Sequence, residues 1–101
     1  MFARVARYRI PQQRIGEVAQ AFQGSVEQLG EIEGNKGGYL LVDRDNCMAL
    51  TITFWENIAA MEASEVRASR LRSEAINELD GDVQTVDQCE VALDFTGQGG
   101  T

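Results

Sequence analysis

The chain has 101 residues, of which 44% are hydrophobic and 25% charged, and a net charge of −7. That length suits one folded domain with a thin core, and a pI near 4.4 argues against phosphate-backbone binding, which draws its affinity from Lys and Arg. No apolar run approaches the roughly 20 residues of a membrane-spanning helix. In chain order, residues 2–10 (FARVARYRI) read as a strand, with β-branched and aromatic residues alternating with arginines. Pro11 breaks it and suits a first helical turn. Ile15, Val18, Ala19, Phe22, Val26 and Leu29 then make one apolar helical stripe, which predicts a helix over about 12–29 stopped by Gly30.

Residues 31–38 (EIEGNKGG) read as a loop, and their glycines match no phosphate-binding spacing. YLLVD and ALTITFWE follow, joined by the turn-like RDNCM, as a β-hairpin. Asn57 is placed to cap a second helix whose buried stripe is Ile58, Met61, Ala68, Leu71, Ala75 and Leu79, with Glu65 a polar interruption. Residues 80–82 end that helix, and residues 83–95 read as a last strand. Residues 1–95 are thus expected to form a single domain and 96–101 a flexible tail. The β-α-β-β-α-β order predicts an α+β, ferredoxin-like fold. Right-handed crossovers put both helices on one face of a four-stranded antiparallel sheet.

The hairpin core, YLLV plus ALTITFW, carries no charge on either face. Leu40, Val42, Leu50, Ile52 and Phe54 are read as one face, and Tyr39, Leu41, Ala49, Thr51, Thr53 and Trp55 as the other. Two helices cover only one side of a sheet. A homodimer, sheet face against sheet face, is the simplest cover for the second.

There is no histidine, which removes His general bases, Ser-His and Cys-His pairs and His-ligated metals. Two cysteines, Cys47 and Cys89, lack metal-ligand spacing and are expected as reduced thiols. The start of the chain has no apolar core of signal-peptide length. The expectation is a cytoplasmic protein without metal or cofactor and with no nucleic-acid or membrane partner. Arg4, Arg7 and Arg9, and likewise Arg67, Arg70 and Arg72, read as solvated or ion-paired faces, although inward-pointing Arg4 and Arg7 would suit an anionic substrate.

MFARVARYRIP, a hairpin ending in LTITFWEN and a helix carrying AAMEASE together resemble the antibiotic biosynthesis monooxygenase-like family. The resemblance runs from residue 2 to about 94 and implies a dimeric α/β barrel. In the family's quinone-forming members, oxygen reacts with an electron-rich aromatic substrate without metal or flavin. Trp55 matches their strand-end tryptophan, while Thr51 stands in place of their asparagine and Met61 near the place of a tyrosine. Haem-degrading members pair such a tryptophan with a first-strand asparagine and a second-helix histidine, and this chain has neither.

Two functions follow as expectations. One is a cofactor-independent oxygenase, or a binder of a small aromatic or apolar metabolite, with Trp55 as pocket wall and Tyr8, Tyr39 and Thr51 as polar contacts. The other is a non-catalytic binding or assembly module of the same fold, in which Trp55 is a packing residue. A buried aromatic removes about 150–250 Å² from water and needs no other purpose.

Overall fold

A computed structural model describes residues 1–97. Strand β1 (Phe2–Arg9) opens the chain, and a 3-10 helix (Gln12–Glu17) leads into α1 (Val18–Gly30). The hairpin is β2 (Asn35–Asp43) and β3 (Met48–Trp55). Helices α2 (Ile58–Ala63) and α3 (Glu65–Glu78) follow, then β4 (Asp82–Glu90). The strands form one antiparallel sheet in the order β2-β3-β1-β4. This is the ferredoxin-like arrangement, and every β1 residue from Phe2 to Arg9 is paired on both sides.

The core lies between the helices and one face of the sheet. Ala6, Tyr8 and Ile10 meet Val18 and Phe22 of α1, Ala75 and Ile76 of α3, and Leu79. Strand alternation sends Arg4, Ala6 and Tyr8 inward, whereas Arg7 and Arg9 are exposed. The arginines of β1 therefore do not share one solvated face. On α1 the buried positions are Val18, Phe22 and Ser25, while Val26 stays 51% exposed. The helix is rotated relative to its apolar stripe because the small Ser25 faces α3, donating to the Leu71 carbonyl at 3.4 Å.

The hairpin faces differ from the sequence reading. Asp43 pairs with Met48, so the loop has an even number of residues (44–47), and directly opposed residues have opposite parity. Leu40 and Val42 share a face with Thr51 and Ala49, over the core. Tyr39 and Leu41 share the opposite face with Ile52 and Leu50. That second face, to which Val5 and Phe54 also belong, has no helix over it; Leu41 is 45% and Tyr39 58% exposed.

Element ends also moved. Strand β2 starts at Asn35, four residues before the expected Tyr39, because Gly38 pairs with Thr53. Glycine carries no strand signal, yet a Cβ at Gly38 would strike the carbonyl oxygen of Ile52. Strand β4 stops at Glu90, short of the expected 95, because its partner β1 runs out: the last bond is Val91 N–H to the Met1 carbonyl, 2.9 Å. The expected second helix bends at Ser64, and Ile58 is 50% exposed outside its buried stripe. Of the expected tail, Thr96 bonds Asp94 through its N–H (2.9 Å) and hydroxyl (2.7 Å), and residues 98–101 lie outside the described part. No described helix is long and apolar enough to cross a membrane.

Candidate ligand-binding site

Helix α1 stands over β2 and β3, and a cleft of about 310 Å³ opens between them. Its walls are Phe22, Val26 and Leu29 from α1 and Leu40, Thr51 and Thr53 from the sheet. The hole exists for a residue-level reason. Gly37 and Gly38 also line it without side chains to fill it, and the inward positions on β3 are short threonines. A mainly apolar hollow of this size with a few polar groups at one end is the common form of a small-molecule site.

The polar groups sit at the inner end. A smaller hollow of about 20 Å³ shares Phe22, Leu29, Thr51 and Thr53 with the cleft and adds Arg4, Tyr8 and Arg72. The hydroxyls of Tyr8 and Thr51 are 2.6 Å apart. Burial pushes the Tyr8 pKa above its ordinary value; the bond to Thr51 and the charges of Arg72 and Arg4 act in the opposite sense without cancelling it. Tyr8 is therefore a phenol at neutral pH and not a base.

Arg4 is 3% exposed and crosses from β1 to the bend between α2 and α3. Its Nη2 donates to the Met61 carbonyl (2.7 Å) and to Ser64 Oγ (3.2 Å), and pairs with Glu65 at 2.9 Å. Ser64 Oγ also donates to Met61 O at 2.7 Å. These contacts compete for the carbonyl at the helix bend, which is how a serine and a buried cation break one helix into two. Burial lowers the Arg4 pKa, with Glu65 opposing it and Arg72 adding to it; the guanidinium stays charged. The Trp55 ring lies under Arg4, 5.5 Å from Cζ to centroid, and its N–H donates to Thr53 Oγ1 at 3.0 Å.

Tyr8 and Thr51 thus come together at the inner end of the cleft. Trp55, fully buried, lies behind Thr53 without lining either hollow and is a platform for Arg4. Tyr39 touches the cleft's rim, but its ring sits on the opposite face of the sheet, edge-on to Phe54 at 6.3 Å. The odd-even reversal at the hairpin separates it from the other three. Arg72 was read as part of a solvated face, yet its side chain is 10% exposed. It follows Leu71 and stands four residues after Ala68, on the flank of the buried stripe, and that is the signal that marked it.

A second hollow, about 500 Å³, lies on the helix-free side among Met1, Tyr39, Phe54, Leu93 and Phe95. Leu93 and Phe95 are 75% and 67% exposed, so it is an open trough and holds no converging set of buried polar groups. The smaller, better-enclosed cleft is the better ligand site. Among the described residues, no cluster of three or more His, Cys, Asp or Glu could hold a metal ion.

The family model for antibiotic biosynthesis monooxygenases matches residues 1–69. The chain belongs to that family. No curated protein matches its sequence. Among solved structures of the monooxygenase fold, it is similar to SnoaB, a cofactor-independent oxygenase from Streptomyces nogalater. The TM-score is 0.74 at 14% identity, over 94% of this chain and 96% of that one. It is also similar to MhuD, a heme-degrader from Mycobacterium tuberculosis whose structure has two hemes in its active site. There the TM-score is 0.70 at 18% identity, over 94% and 99% of the two chains. At these identities the likeness shows the fold alone.

Heme does not fit the residues of this monooxygenase-family cleft. Among the described residues, no His, Cys or Met lines it. The phenol at its inner end, Tyr8, is fully buried and bound to Thr51, which leaves no side chain poised as an axial ligand.

Proposed function

We propose that this protein binds a small aromatic or apolar metabolite in the cleft under α1 and oxidises it with molecular oxygen, without a resident cofactor. The observation that carries this reading is the cleft itself: apolar walls from Phe22, Val26, Leu29 and Leu40, with hydroxyls and guanidinium groups at the closed end. Family membership supports the reaction class. An electron-rich substrate supplies the electrons. In the oxidation of an anthrone, its ring methylene becomes a ketone, one atom of O₂ enters that carbonyl and the other leaves as water.

A second reading is a non-catalytic binding module of the same fold. It is favoured by one observation: no carboxylate or imidazole lines the cleft, and Tyr8 is held protonated, so no side chain there is ready to take a proton. Oxygen uptake separates the two. With an anthrone and purified protein, the first reading expects consumption of one O₂ per ketone formed, above the rate without protein and reduced by Val26→Phe, which narrows the cleft. Binding without added oxygen uptake gives the second reading. No binding contradicts both.

We also infer that the protein works as a homodimer through the helix-free sheet face. Support comes from the apolar side chains there, Val5, Leu41, Leu50, Ile52 and Phe54, which no helix of their own chain covers. A cytoplasmic setting is in keeping with Cys47 and Cys89 as free thiols.

A further inference from the structure

We propose that the inner end of the cleft is an anion subsite, and that the ligand is an aromatic carboxylic acid whose carboxylate docks on Arg72. The inference rests on the cleft being the ligand site, and it names the class of ligand. It follows from a count of donors and acceptors. The Arg72 side chain is nine-tenths buried, and among the described residues no hydrogen bond reaches its guanidinium; its carboxylate neighbour, Glu65, is 3.7 Å away. A planar fork of five N–H donors thus stands beside the hollow with a 3.7 Å ion pair to Glu65 and no hydrogen bond among the described residues.

The hydroxyls point the same way. Tyr8 and Thr51 share one hydrogen bond, so one of their two hydroxyl protons is left over. Thr53 Oγ1 already accepts from Trp55 and keeps its own proton to donate. Among the described residues, no carboxylate lines either hollow. The Arg4 Nε, on the same wall, is buried without any partner. Two guanidinium groups share one acidic residue, Glu65, which is 40% exposed and lies 2.9 Å from Arg4 and 3.7 Å from Arg72. The site offers donors and positive charge in surplus and lacks an acceptor. A carboxylate supplies two acceptor oxygens and the missing charge in the geometry a guanidinium matches. The small hollow, about 20 Å³, has room for one such group, and the 310 Å³ cleft receives the ring system.

Isothermal titration with 2-naphthoate and its neutral analogue 2-naphthamide tests this. The naphthoate is expected to bind wild-type protein at least about tenfold more tightly, a difference of about 1.4 kcal/mol. Arg72→Gln should bring the two dissociation constants within about twofold, chiefly by weakening 2-naphthoate. Arg72→Lys, which keeps the charge, should retain part of the preference and shows that an effect of the first variant is not misfolding. Equal binding of the two probes to wild type, or a preference that survives Arg72→Gln, overturns the anion subsite while leaving the cleft as a ligand site. If neither probe binds, the ligand reading of the cleft fails and this inference with it.

Discussion

Arg4 does the most at the residue scale. One side chain holds the Met61 carbonyl, Ser64 and Glu65, and rests on Trp55. Arg4→Met keeps the stem's apolar packing but removes the guanidinium that donates to the Met61 carbonyl and Ser64 and pairs with Glu65. It should destabilise the protein by about 2–3 kcal/mol in urea unfolding. A cost below about 0.5 kcal/mol would mean the network is ornamental. Tyr8 makes a pH prediction. Its folded pKa lies above the unfolded value of about 10. Above pH 10 the unfolded chain therefore loses its phenol proton first, and stability falls as pH rises through the folded pKa. Unfolding free energies measured between pH 8 and 11 should decline less steeply for Tyr8→Phe than for wild type. An identical slope would place Tyr8 in a water-like setting.

The elements were legible in the sequence to different depths. Their order was, because a period of two in FARVARYRI gives way to helical stripes bounded by turn residues, although the last strand's own pattern is mixed. Asn57 was as well: its side chain accepts from the Ala60 N–H at 2.8 Å, the ordinary helix cap. Asn57→Ala should cost about 1 kcal/mol by thermal or chemical unfolding, all of it from the α2 start, without touching the cleft. What composition could not show was set by geometry between elements. The four-residue loop at Arg44–Cys47 reverses the parity of β2 against β3, and this turns the Tyr39 ring to the far face of the sheet, at the cleft's rim. Arg72 read as solvated because charged helix residues generally are; its burial depends on Arg4 and Glu65 arriving from β1 and the helix bend. Trp55 has no local mark that separates a platform under a guanidinium from a pocket wall.

For the whole molecule, the sheet divides the work. One face carries core and cleft, and the other is apolar without a helical cover. Leu41→Glu puts a charge on that bare face, on its edge strand β2, and should convert a dimer to a monomer in sedimentation equilibrium, with the far-UV spectrum retained. If wild-type protein is already monomeric at tens of micromolar, the sheet-to-sheet pairing is wrong. The central claim, that ligands enter beneath α1, is open to a direct measurement: amide chemical-shift mapping of the labelled protein titrated with 2-naphthoate. The account predicts that the largest shifts fall on Phe22, Leu29, Thr51, Thr53 and Arg72. Shifts concentrated instead on Phe54, Val91, Leu93 and Phe95, around the trough on the other face, would contradict it.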